Sequence, residues 1–162
     1  MKTDRGKWIT LTKVEVEIGV RIGVMRHLNA LREGAKDAYG FKGDPWELHI
    51  QGACAEMASY KAIGRYWSPT IDVRKEAGGD GGPYEVRRRS QQHYDHLIKE
   101  RDLVDAPHIL ACGLLPTFRV VGWIWGYEAR RDDWWHNKHG GRGWAWWPPQ
   151  EELHDLEELP VL

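Results

Sequence analysis

The sequence contains no apolar run approaching the roughly 20 residues needed to span a bilayer. Its opening stretch, MKTDRGKWITL, lacks the apolar core of a secretory leader. Cysteine is scarce: Cys54 and Cys112 both sit in apolar surroundings and make no metal-like pair, so they read as reduced core thiols in a cytoplasmic setting. Charge of one sign is not in excess. The formal net charge is -1, so any contact with nucleic acid must come from a local patch rather than from a global basic field. There is no internal repeat and no low-complexity linker, and 162 residues suit a single domain over 1–162.

What the chain does have is local asymmetry. Basic residues cluster at Arg87, Arg88 and Arg89 and again at Arg130 and Arg131, while the closing EELHDLEELPVL is acidic. Ten tryptophans are present, five of them crowded into WWHNKHGGRGWAWW. Residues 8–18 alternate and read as a strand. Apolar residues at Val20, Val24, Leu28 and Leu31 then follow helical spacing, and a second helix is expected over about 46–66, whose Gly52, Ala53, Ala55 and Ala58 suit close packing on a sheet.

Beyond Pro69 the pattern turns to strands: TIDVRKE, YEVRRRS, YDHLIKE, HILACGL and TFRVVGWIWG. HILACGL is continuously apolar and is expected to be central. A short helix is read in YEARRDDWWHN, an edge strand in WAWWPP and a tail helix in QEELHDLEEL. The sum is an α/β (α+β) fold with a mixed central sheet of about five strands flanked by helices. Strands and helices do not alternate strictly, which argues against a Rossmann arrangement.

The chemistry concentrates in AGGDGGPYEVRRRS, residues 77–90. If GGPY turns between two strands, Asp80 ends one and Glu85 opens the next, so both carboxylates converge at one end of the sheet. Hard cations such as Mg2+ favour such oxygens, with water completing the shell. The Val86 carbonyl would add a further oxygen, and Arg87 shares the face of Glu85 because strand side chains repeat every two residues. A cation there steadies phosphate charge. The plain alternative is a glycine-rich surface hairpin with a cross-strand ion pair. Glu56 lies among small and apolar residues in GACAEMASY and, from a helix over the sheet, would reach the same corner; a metal would compensate its burial.

A helix bearing Glu, then Asp, then Glu-x-Lys on the next strand is the pattern of the PD-(D/E)XK, restriction-endonuclease-like superfamily. The order GACAEMA, GGDGGPYEVRRR, HLIKERD, HILACG, PTFRVVGWIWGYEA and WWPPQEELHDLEELP resembles small phage and prophage proteins of that type, over residues 52–160. The resemblance implies a restriction-endonuclease-like core and a metal-dependent nuclease acting on DNA in the cytoplasm of a bacterial host. It implies Mg2+ or Mn2+ on Asp80, Glu85, the Val86 carbonyl and Glu56, with Arg87 balancing charge. Two departures stand out. Arg87 replaces the usual lysine and stays protonated, so it is a poor proton shuttle, and Gly79 replaces the proline before Asp80. Both leave room for a catalytically inactive protein of the same fold that binds DNA or a host protein.

Arg88, Arg89 and Gln91, with Gln92 and His93 beyond them, are candidates for contact with a phosphate backbone, or else form a solvated strand edge. His93 and His96 are candidate general bases. His136 and His139 make only half a zinc site. The tryptophans read as cover for a small core, with stacking on bases as the alternative, and HGGRGW reads as a loop over the cleft. Edge strands and tryptophans would also permit a homodimer.

Overall fold

The computed structural model describes residues 4–34, 43–71, 82–138 and 143–162. Its main sheet has four strands in the order β1-β4-β3-β2, formed by β1 (Lys7–Thr10), β2 (Glu85–Arg89), β3 (Pro107–Leu114) and β4 (Thr117–Trp125). β3 and β4 form an antiparallel hairpin, β1 is antiparallel to β4, and β2 runs parallel to β3, so the sheet is mixed. Two helices, α1 (Lys13–Arg32) and α2 (Pro45–Ala62), precede β2. A separate two-stranded ribbon pairs β5 (Trp135–His136) with β6 (Ala145–Trp146).

The α+β reading and the central place of HILACGL agree with this arrangement. Several boundaries do not. Among the described residues the main sheet has four strands rather than five. TIDVRKE falls almost wholly outside the described residues. YDHLIKE is not a strand: only Ile98 bridges, to Trp146. Residues 8–18 are divided between β1 and α1, because Thr12 caps the helix. The Thr12 Oγ1 accepts from Glu15 N at 3.2 Å and Glu15 Oε2 accepts from Thr12 N at 2.7 Å, a reciprocal cap that overrides the alternation beyond it. The segment read as a short helix keeps one 3-10 turn, Asp132–Trp134, before β5. The tail forms two 3-10 turns, Gln150–Glu152 and Leu156–Glu158, instead of a helix.

Asp44 caps α2 by accepting from Trp46 N, and Pro45 supplies a pre-set first turn. Both helices lie on one side of the sheet in stacked layers, with α2 packing on the strands and α1 chiefly on α2. Small residues make this stacking close. A Cβ on Gly19 would lie 2.6 Å from Cys54 Sγ, and one on Gly23 would lie 2.5 Å from Ile50 Cα. Beneath α2 the core gathers Ala55, Ala58, Tyr60, Ile109, Ala111 and Phe118. Ile98, Leu110, Val121, Ile124, Trp134 and Leu153 form the core on the opposite face. Both cysteines are buried free thiols, and burial pushes each pKa up to about 11.

The tail extends the edge of β4 beyond β1, exchanging Trp123 N to His154 O at 3.1 Å and His154 N to Trp123 O at 2.7 Å. The close helix contact generates a prediction. Gly23→Ala sets its new methyl against the Ile50 backbone, and urea unfolding is expected to show a loss of about 1–3 kcal/mol.

Candidate functional site

β2 is the strand that carries the motif, and its alternation decides what the motif residues can meet. Val86 packs toward α2, against the clusters holding Tyr60, Ala55 and Ala111. Glu85, Arg87 and Arg89 therefore turn to the other face, beside His108, Leu110 and Cys112 of the parallel neighbour β3. Glu56, on α2, belongs to the helix side. The structure thus brings Glu85 and Arg87 to one face and holds Glu56 on the other side of the sheet. Asp80 lies outside the described residues. Among the described residues no group of three His, Cys, Asp or Glu side chains gathers where a metal ion could be held.

Glu56 is buried, and its carboxylate is engaged on both oxygens. Arg26 Nη1 donates to Oε2 at 2.8 Å and Arg26 Nη2 to Oε1 at 3.3 Å, while Trp67 Nε1 donates to Oε1 at 2.8 Å. Arg26 Nε donates in turn to Thr70 O at 2.7 Å. One carboxylate and one guanidinium so tie together α1, α2 and the segment after α2. A buried charge needs such compensation.

Arg87 is likewise engaged. Its Nη2 reaches Asp102 Oδ2 at 2.9 Å and Oδ1 at 3.2 Å, and Asp102 Oδ2 also accepts from Lys99 N at 2.7 Å. Glu85 starts the strand on the same face with its Oε1 buried. Two histidines complete this region. His96 is wholly buried. Its Nδ1 accepts from Leu97 N at 2.8 Å, which leaves the proton on Nε2 to be donated to His108 O at 3.2 Å. His108 Nε2 pairs with Leu103 O at 2.7 Å. Burial holds the pKa of His96 well below the ordinary value and lowers that of His108. His96 is a neutral structural ring, and His93 is exposed.

Of the proposed phosphate contacts, Gln91 is exposed at the turn after β2. Arg88 is half-buried on the helix side, with Nη1 donating to Gly113 O at 3.4 Å. Arg89 donates to Asp95 O at 3.2 Å and lies over the rings of Tyr94 and Trp147, at 4.9 and 5.2 Å from their centroids. Burial lowers the pKa of both arginines.

The sequence reading missed a second buried arginine. Arg119 of β4 is inaccessible to solvent. It donates to Gln92 Oε1 at 3.0 Å, Gln92 O at 2.6 Å, Gln150 Oε1 at 2.9 Å and Arg5 O at 2.8 Å. Gln150 Nε2 closes the network on Gln92 O and Tyr94 O at 2.8 and 2.7 Å. The signal was a lone arginine inside the apolar run TFRVVGW.

The β5–β6 ribbon carries a partly exposed aromatic cluster. Trp135 and Trp146 face each other across the two strands with ring centroids 4.4 Å apart. Trp144, 53% exposed, stacks on Trp135 at 5.9 Å with planes only 22° apart. Arg130 covers Trp146 at 4.9 Å, Arg131 covers Trp134 at 4.3 Å and Lys138 covers Trp147 at 5.0 Å. His136 is exposed and pairs with Asp133 O, while His139 and most of the HGGRGW loop lie outside the described residues.

No protein-family model matches this chain, and neither the curated proteins nor the solved structures yield a significant match.

Two outcomes follow from the buried charges and rings. Arg26→Met leaves the Glu56 carboxylate without its guanidinium and is expected to cost about 3–5 kcal/mol in urea unfolding. The lowered pKa of His96 means that the unfolded chain takes up its proton first. Stability is then expected to fall as pH drops below about 6.5, by up to about 1.4 kcal/mol per pH unit for this ring. The slope should be shallower in His96→Phe, measured by denaturation across pH 5–7.

Proposed function

We propose that the protein binds single-stranded DNA without hydrolysing it, through the aromatic and cationic surface of the β5–β6 ribbon. The carrying observation is the stack of exposed Trp144 on Trp135, next to Trp146 and its covering Arg130. Every base has a π-face, so tryptophans in sequence-tolerant sites each contribute about 1–3 kcal/mol per base. Arg131 pairs with Asp133 and Lys138 with Asp95 at surface positions where such pairs are worth little, so with Arg130 they are the cations a phosphate backbone would meet. This favours a polyanion over an uncharged ring ligand such as a sugar.

The non-hydrolytic half of the reading draws on the ion pairs. Glu56 serves Arg26, and Arg87 serves Asp102. Two of the residues that the nuclease resemblance assigns to the site are thus engaged in internal structure. Arginine at position 87 points the same way, since it does not shuttle protons near neutral pH.

A metal-dependent nuclease is the second reading, and Glu85 favours it. Its Oε1 is buried at the start of the edge strand beside Val86, on the face it shares with Arg87. On that reading Asp80 and Glu85 would hold Mg2+ or Mn2+ and supply the metal chemistry of phosphodiester cleavage.

One experiment separates the two. Oligo(dT) is titrated into the protein while tryptophan fluorescence is followed, with Trp144→Ala in parallel. Plasmid and single-stranded DNA are incubated with Mg2+ or Mn2+. The binding reading expects quenching, roughly tenfold or greater weakening in Trp144→Ala, steep salt dependence and intact DNA. Cleavage that disappears in both Asp80→Ala and Glu85→Ala would instead establish the nuclease reading.

A further inference from the structure

α1 has more apolar surface than the described residues cover. Gly19, Gly23 and His27 are its buried residues, and they face α2. Val16 and Val20 flank them and reach the core. Yet Val14, Ile18, Met25, Leu28 and Leu31 are all exposed. A helix that is apolar on both sides is normally covered on both sides.

The exposed residues are arranged as a seam. Val14, Ile18, Arg21, Met25, Leu28 and Arg32 follow one another at alternating steps of four and three residues. At about 100° per residue they stay within roughly 40° of a single line along the helix. Gly19, Gly23 and His27 lie on the opposite side, so the seam points away from α2. Alternating spacing of this kind is the pattern by which one helix packs along another. Two arginines interrupt it, and no helix among the described residues is long and apolar enough to cross a membrane.

We propose that this seam is the two-fold interface of a homodimer, α1 packing antiparallel on α1 of a second copy. Charge selects the second copy and its direction. Glu17 lies beside the seam in the first half of the helix, and Arg32 closes its last turn. With Val24 and Met25 at the two-fold axis, Glu17 of each protomer comes level with Arg32 of the other. Arg21 then comes level with Leu28 on the same side of the seam, and the Met25 side chains of the two copies flank the axis. A parallel pairing would set Glu17 on Glu17 and Arg32 on Arg32. The antiparallel arrangement also opposes the two helix dipoles, and it is isologous, as closed dimers are. The interface is independent of the β5–β6 ribbon.

Sedimentation equilibrium on the full chain tests this, with circular dichroism as the control for folding. The wild type is expected to be a dimer. Ile18→Glu and Met25→Glu, both at exposed positions of the protomer, are expected to keep the helical spectrum and weaken the dimer by roughly tenfold or more. Glu17→Lys and Arg32→Glu should each weaken it, and the double variant should recover it. A monomeric wild type at the highest protein concentration reached would overturn the proposal. So would a dimer indifferent to Ile18→Glu, or a charge-exchanged double variant weaker than both singles.

Discussion

The ion pair between Arg26 and Glu56 is the constraint on which the helical half of the protein rests. Two glycines on α1 bring its backbone onto α2, and so close a contact leaves the Glu56 carboxylate in the middle of α2 buried. An isolated charge there would cost several kcal/mol, so the acid must be matched across the same interface. The bidentate guanidinium does this and also reaches the chain after α2 through Thr70. With that contact made, the rotation of α1 is set, and with it which side of the helix remains outward. The acid that the motif singles out thereby has a structural role of its own.

Strand alternation decides the other half. Because β2 buries Val86 toward α2, its charged neighbours cannot face the helix and must find partners on the opposite side. Asp102 for Arg87, and the carbonyl and rings around Arg89, are those partners. Asp102, Asp95 and Tyr94 come from the segment between β2 and β3, whose path is held by buried His96 and by the Arg119 network, while Trp147 follows β6. Basic residues that look in sequence like a patch for phosphate act here largely as fasteners for loops that would otherwise lack a core.

Much of the sheet was legible because its signal is strong. HILACGL and TFRVVGWIWG are long apolar runs joined by a proline turn, and EVRRR alternates as a half-buried edge. The second helix was legible from its small residues. The β1–α1 boundary was not, since Val14, Val16 and Ile18 satisfy a period of two as well as a helical one, and only the Thr12–Glu15 cap distinguishes them. The tail was misjudged for a related reason. Its leucines bury singly between acids, and Pro148, Pro149 and Pro160 bracket turns too short to propagate a helix. For the site, pattern indicated that Glu85 and Arg87 share a face. It could not show that Arg26, distant in sequence, would claim Glu56, or that Arg119 would be buried whole.

The way the ends of the chain are knitted has a consequence for synthesis. Thr10 and Thr117 touch across the sheet although 107 residues separate them. Arg5 is bound to the carbonyls of Gln150, Glu151 and Leu153 and to Asp155, and Tyr84 donates to Pro160 O at 2.6 Å. The first strand therefore emerges from the ribosome with nothing to pair with, and its neighbour appears only when most of the polypeptide has been made. Arg5, just before the first strand, and Tyr84 find these partners only after residues 150–160 have left the exit tunnel, so this part of the fold closes late rather than progressively.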